Sequence, residues 1–156
     1  MIQKKTKKNI QKASVESEIM KETIRKSQLA ASNEFEYKKL IRHQEGFLNC
    51  SMEEEKENLV MTYELRNLSP WIHIRREKKE LIFSALIDAG KLEQRAKLYR
   101  FTLAPDNLYY DIQGRTYVKT RDVYAKGEEY SQEAFLQEYK SLIGCTLIKN
   151  ISCLVE

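Results

Sequence analysis

Glycine is scarce in this chain, with five in 156 residues, and none stands in a GxGxxG arrangement. A loop that covers phosphates with its backbone needs glycines at that spacing, so a nucleotide loop of this kind is excluded. Histidine is scarcer still. His43 and His73 stand apart from each other and from any Cys or Asp pattern, which removes the usual metal and Cys–His motifs and leaves surface or helix-end positions as the expectation. The three cysteines, Cys50, Cys145 and Cys153, are odd in number and unlike in context. They outline neither a zinc site nor a disulfide framework, and the expectation is reduced, partly buried thiols in a cytosolic setting. No run is long and apolar enough to cross a bilayer, and the opening residues lack the apolar core of a signal peptide.

What is present is a composition of 42% hydrophobic and 32% charged residues, that of a soluble globular protein with one domain. The net charge of +4 is unevenly placed. MIQKKTKKNIQK carries five lysines and no acid; without those five, 22 of the 27 basic residues remain against 23 acidic ones. Residues 1–14 are therefore expected to be a basic flexible tail, suited at most to anionic lipid headgroups, and residues 15–156 a neutral domain. Nucleic acid is not expected, because no basic face is interleaved with presented aromatics.

Residues Val15–Lys26 lack a clean period and read either as one helical face of Val15, Ile19, Met20 and Ile24 or as a short edge strand over Ile19–Arg25. Ser27 or Ser32 is expected to cap a helix reaching about His43, with Leu29, Phe35, Leu40 and Ile41 as its buried stripe. Phe47–Met52 and Leu59–Leu65 read as a hairpin whose charged turn, Glu53–Glu57, is a solvated tip rather than a metal site. Ser69-Pro70 reads as cap and first residue of a helix through Trp71, with the apolar spacing of Leu81, Ile82, Ala85, Leu86 and Ala89, and with Gly90 as its stop. Trp71 is expected to pack at home rather than anchor a partner. Val123–Glu129 reads as a polar loop. Ser131 then caps a last helix that turns Phe135, Leu136, Tyr139, Leu142 and Ile143 inward until Gly144 interrupts it, before an apolar run over Cys145–Leu154. An ending of that kind suggests a chain cut short, with surface near Ile148 and Ile151 covered by further residues or a partner.

The stretch Leu98–Asp122, LYRFTLAPDNLYYDIQGRTYVKTRD, organises the rest. Tyr99, Phe101 and Leu103 alternate as in a strand, Pro105-Asp106-Asn107 turns the chain, Leu108-Tyr109-Tyr110 is extended, Gln113-Gly114 turns again, and Thr116-Tyr117-Val118 returns. Leu103, Pro105, Asn107 and Gly114 stand where a protein-kinase catalytic loop and its hairpin have Leu, Pro, Asn and Gly, and the stretch resembles that loop. The reagents differ. The catalytic-base position holds Thr102, the lysine position Ala104, and the metal-Asp position, thirteen after Asn107, Thr120. Threonine has no useful basicity at neutral pH and does not bind magnesium as a carboxylate does. If the comparison extends upstream, Glu34 or Glu36 is where a lysine-pairing glutamate belongs.

With FTLAPDNLYYD, YVKTRDV, FLQEYKSLIGC and SCLVE, residues from about Asn67 to Glu156 resemble the EssB/YukC family of the type VII (Esx, WXG-type) secretion system of Gram-positive bacteria. The resemblance implies an α+β, protein-kinase-like (pseudokinase) fold. A reduced antiparallel sheet with one helix would form a small lobe over about 15–66, with a short strand near Glu22–Lys26, and a partial helical lobe would start at about 67. It also implies a non-catalytic scaffold without cofactor or metal, the cytoplasmic domain of a bacterial cell-membrane protein with a transmembrane segment beyond residue 156. The implied partners are a second copy, the machine's membrane ATPase and other core components, and WXG-type substrates. A small adaptor unrelated to secretion, and an atypical kinase using Asp106, Asp111 or Asp122, are the competing readings.

Overall fold

A computed structural model describes residues 18–29, 31–99, 101–121 and 130–148. The basic tail, Asp122, the loop expected at Val123–Glu129, and the end of the apolar run with Ile151 and Cys153 lie outside the described residues.

The chain folds into a mixed α and β structure with two small antiparallel sheets. In the first, β3 (Asn58–Glu64) lies between β1 (Ile19–Arg25) and β2 (Cys50–Glu54). Leu59, Met61 and Tyr63 alternate with half-buried neighbours along β3, so the central strand shows the period of two that a one-sided core requires. Helix α1 (Glu34–Leu40) contributes Tyr37 and Leu40 to that core, and the turn before it contributes Leu29. Its cap is Asn33, whose side chain accepts from Glu36 N, rather than Ser27 or Ser32. Phe35 lies 71% exposed, outside the expected stripe, because a helix of two turns has room for one inward face only.

The second sheet runs β4 (Ser69–Pro70), β5 (Leu108–Tyr110) and β6 (Thr116–Val118). Ser69-Pro70 therefore does not open an α-helix. It pairs with Tyr109 and Tyr110, a tight 3₁₀ segment over Trp71–Arg76 follows, and α2 (Lys79–Gly90) begins only after Lys78. Phe47 and Leu48, expected in a strand, precede β2; Leu48 N–H instead bonds Val118 O, and Val118 N–H bonds Gly46 O, beside β6. The expected strand at Tyr99 is the last turn of α3 (Glu93–Tyr99). Helix α4 (Gln132–Leu147) is capped by Ser131 and runs through Gly144 without a break. Phe135 and Leu142 of α4 are buried, whereas Leu136 is 42% exposed. Helix α2 ends on Gly90 as expected, though without a left-handed φ; a Cβ there would come within 2.9 Å of the Tyr139 ring, so its smallness lets α4 approach α2.

Two cores result, and β5 is shared between them. Leu108 and Tyr110 join Trp71, Ile74, Phe101 and Val118 in the helical core, while Tyr109 joins Leu48, Leu59, Met61 and Tyr63 under the first sheet. Trp71 is fully buried and its indole N–H donates to Thr146 Oγ1 at 3.1 Å, which places it in the core as expected. Arg75 donates to the carbonyls of Cys145, Thr146 and Ile148, supplying donors to the end of α4 that the helix itself cannot satisfy. Cys50 is a free thiol, but Cys145 is in a disulfide, so the expectation of three reduced cysteines does not hold.

Truncating either core should be costly. Phe101→Ala and Tyr109→Ala are each expected to lower unfolding free energy by about 3–5 kcal/mol in denaturant titrations, and Phe35→Ala by less than about 0.5 kcal/mol. Near-zero losses at 101 and 109 would contradict this core assignment.

Candidate functional site

Asn107 ends the 3₁₀ turn Pro105–Asn107 and is buried, with 6% of its surface exposed. Pro105 presets the turn, and the Asn107 amide N–H bonds Ala104 O at 2.9 Å. The side chain then faces inward between two extended segments. Nδ2 donates to Thr102 O at 3.0 Å and to Thr120 O at 3.2 Å, while Oδ1 accepts Thr120 N–H at 2.8 Å. The Asn107 carbonyl accepts Lys119 N–H at 2.9 Å. All four positions singled out in the sequence, Thr102, Ala104, Asn107 and Thr120, are thus joined in one knot, and Asn107 joins them through main-chain atoms.

A carboxamide has two donors and one oxygen acceptor. Both donors are taken by carbonyls, and the oxygen already holds a backbone N–H. Beside Thr120, the Tyr63 hydroxyl is held well above the usual tyrosine range, mainly by burial. Of the acids considered for chemistry, Asp111 accepts Gln113 N–H, Arg115 N–H and the Tyr117 hydroxyl, closing the β5–β6 turn, and Asp106 is exposed. Among the described residues, no group of three His, Cys, Asp or Glu side chains gathers as metal ligands would. Glu34 pairs with Lys38 one turn on, and Glu36 bonds Asn33 and Ser32, so neither of the expected glutamates reaches a core lysine.

Next to Thr120 lies the residue that sequence reasoning missed. Arg121 is buried, with 4% exposed, and its guanidinium carbon sits 4.3 Å from the Phe47 ring centroid and 5.1 Å from that of Tyr99. Nη1 donates to Arg42 O at 2.8 Å and more weakly to Lys39 O at 3.5 Å, at the carbonyl end of α1. A cation belongs there, where the helix exposes unpaired carbonyls and the negative end of its dipole. Burial pulls its pKa below the usual arginine range, opposed by Cys50, Tyr99 and Tyr63. Burial in turn raises the Cys50 thiol, against the pull of Arg121. No local sequence signal marks this arginine, because its ring partners are 74 and 22 residues away.

The architecture so defined is a two-core α and β domain whose central loop is fixed to the strand after it by one asparagine and to the small-sheet helix by one arginine. The family model described as "WXG100 protein secretion system (Wss), protein YukC" matches residues 24–152. The chain belongs to that family, a component of the type VII secretion system. The crystal structure of a Staphylococcus aureus EssB cytoplasmic fragment is similar, with a TM-score of 0.70 and 25% identity over 85% of this chain and 78% of that one. A Geobacillus thermodenitrificans EssB cytoplasmic fragment shares the fold at a TM-score of 0.64 and 13% identity, over 85% of this chain and 66% of that one. Comparison with curated proteins found no match.

Asn107→Asp keeps the acceptor for Thr120 N–H but turns a second oxygen toward two carbonyls. It should cost about 1–3 kcal/mol or more in chemical denaturation, as a buried charged group left without donors does. Arg121→Lys should likewise weaken α1 docking, since a lysine cannot pack a flat cation on the Phe47 and Tyr99 rings while donating to the Arg42 carbonyl. Faster amide exchange across residues 34–42 is the expected readout, and unchanged protection would contradict the role assigned to Arg121.

Proposed function

We propose that this domain is a non-catalytic scaffold of the secretion machine, a kinase-like fold that works by binding alone. The single observation that supports this most is the use of Asn107: its side-chain donors and its acceptor serve the backbone at Thr102 and Thr120. In an active kinase loop the corresponding asparagine holds a metal ion, with a carboxylate base and a second metal-binding carboxylate beside it. Here those two places hold threonines, and the lysine position holds Ala104. A centre built this way holds two halves of a fold at a fixed angle and has no group to accept the proton of an attacking hydroxyl.

Membership of the family supports the wider setting. The domain would sit on the cytoplasmic side of the membrane, tethered by a span outside residues 1–156, pair with a second copy, and contact the membrane ATPase, other core components and WXG-type substrates. The small sheet, the helical half and the angle between them would be the binding surfaces.

Calorimetric titration of the folded 156-residue chain with ATP tests the reading directly. No heat is expected with or without magnesium. Magnesium-dependent binding in the micromolar range, abolished by Asn107→Ala without loss of the cooperative melt, would restore a nucleotide site and overturn the proposal.

A further inference from the structure

Helix α2 buries Ala85, Leu86 and Ala89 but leaves Phe83 and Ile87 at 49% and 60% exposure. The β5–β6 turn is seated on the same helix. Thr116 N–H bonds the Asp88 carboxylate at 2.8 Å, the Thr116 hydroxyl bonds Ala85 O at 2.7 Å, and a Cβ on Gly114 would come 2.5 Å from Ser84 Cβ. Gly114 has φ +78°, so a side chain there is excluded twice over. The tip of this seated turn carries Ile112, 89% exposed. Three large apolar side chains thus stand in solvent on two elements locked to each other.

The stripe continues into charge. Phe83, Ile87 and Lys91 follow one another at intervals of four, which aligns them along one side of α2 and its C-terminal turn. Lys91 lines a cleft of about 240 Å³ together with Arg95, Arg115, Asp88 and Glu45. Asp88 already accepts Thr116 N–H, and neither Lys91, Arg95 nor Arg115 forms an ion pair among the described residues. Lys91, Arg95 and Arg115 thus line the cleft with Asp88 and Glu45, three positive charges against two negative, and Arg95 also donates to Gln44 Oε1 at 3.5 Å.

We propose that the α2 face with Phe83 and Ile87, Ile112 on the β5–β6 turn, and the Lys91–Arg95–Arg115 cleft form one docking surface for an acidic, apolar segment of a partner protein. Apolar side chains of that segment cover Phe83, Ile87 and Ile112, and its carboxylates enter the cleft, where guanidinium groups bind them in a planar fork. The inference rests on the reading of the domain as a binding scaffold and names one of its faces.

The test uses the whole 156-residue chain and a short fluorescein-labelled peptide of leucine and glutamate, followed by anisotropy, beside one counterpart with lysine for glutamate and another with serine for leucine. Only the leucine–glutamate peptide should bind. The pair F83S/I87S and the pair K91E/R115E should each weaken it by about tenfold or more, while F35S, more exposed and on the helix of the other core, should leave it unchanged. All these positions lie outside the two cores, and a preserved melt shows that each variant is folded. Absence of binding, equal binding of the lysine peptide, or indifference to Phe83 and Lys91 overturns the surface. So does binding to phosphatidylserine vesicles, rather than peptide, that K91E/R115E removes, which assigns the face to a membrane. Failure of the scaffold reading shows separately, as magnesium-dependent heat with ATP.

Discussion

Strand β5 is the constraint on which the rest of the molecule depends. Its three residues are all buried, and because side chains alternate, Leu108 and Tyr110 enter one core while Tyr109 enters the other. A shift of one residue would exchange the two sets and place a phenol where a leucine packs. So short a strand cannot hold its own register. Asn107, the residue immediately before it, holds the register by clamping the start of the strand to the chain beyond β6, and Pro105 fixes the turn that presents it.

Arg121 extends the same logic to the small sheet. Its guanidinium packs against Phe47 and Tyr99, from the helical half, and reaches the carbonyl end of α1, from the other. Among the described residues no carboxylate forms an ion pair with it, and ring faces and helix carbonyls surround the charge, an arrangement suited to arginine because the guanidinium is flat and weakly hydrated. Asn107 and Arg121 together tie the two cores that meet across β5 and β6.

The central turn and hairpin were legible because their signals are local. Pro105, Asn107, Gly114 and the alternation of Leu108–Tyr110 each act within a few residues, and the resemblance of this stretch to the family was carried by the same positions. The boundaries that shifted were decided at long range. Ser69-Pro70 has the chemistry of a helix start, yet pairing with Tyr109 and Tyr110 makes it a strand and pushes the helix to Lys79. Tyr99 alternates with Phe101 as a strand residue would, yet α3 ends on it. Gly144 looked like a stop, but α4 continues through it to Leu147, with the buried Trp71 bonded to Thr146 and Arg75 bonded to the carbonyls at its end. Arg121 was not legible at all, since its role depends on rings that no spacing rule brings together.

The residues that close the centre also determine what the outside can do. The hairpin that begins at Asn107 is anchored at its base by that side chain and along its length by Thr116 and Gly114 against α2. Its tip, Ile112, and the neighbouring side of α2 are therefore held in place before any partner arrives. Binding to a surface already ordered loses little conformational entropy, so a modest apolar area with a few unpaired cations suffices for specific recognition. A loop whose asparagine is hydrogen-bonded to the backbone at Thr102 and Thr120 gains this rigidity, and the binding role proposed for the domain makes use of it.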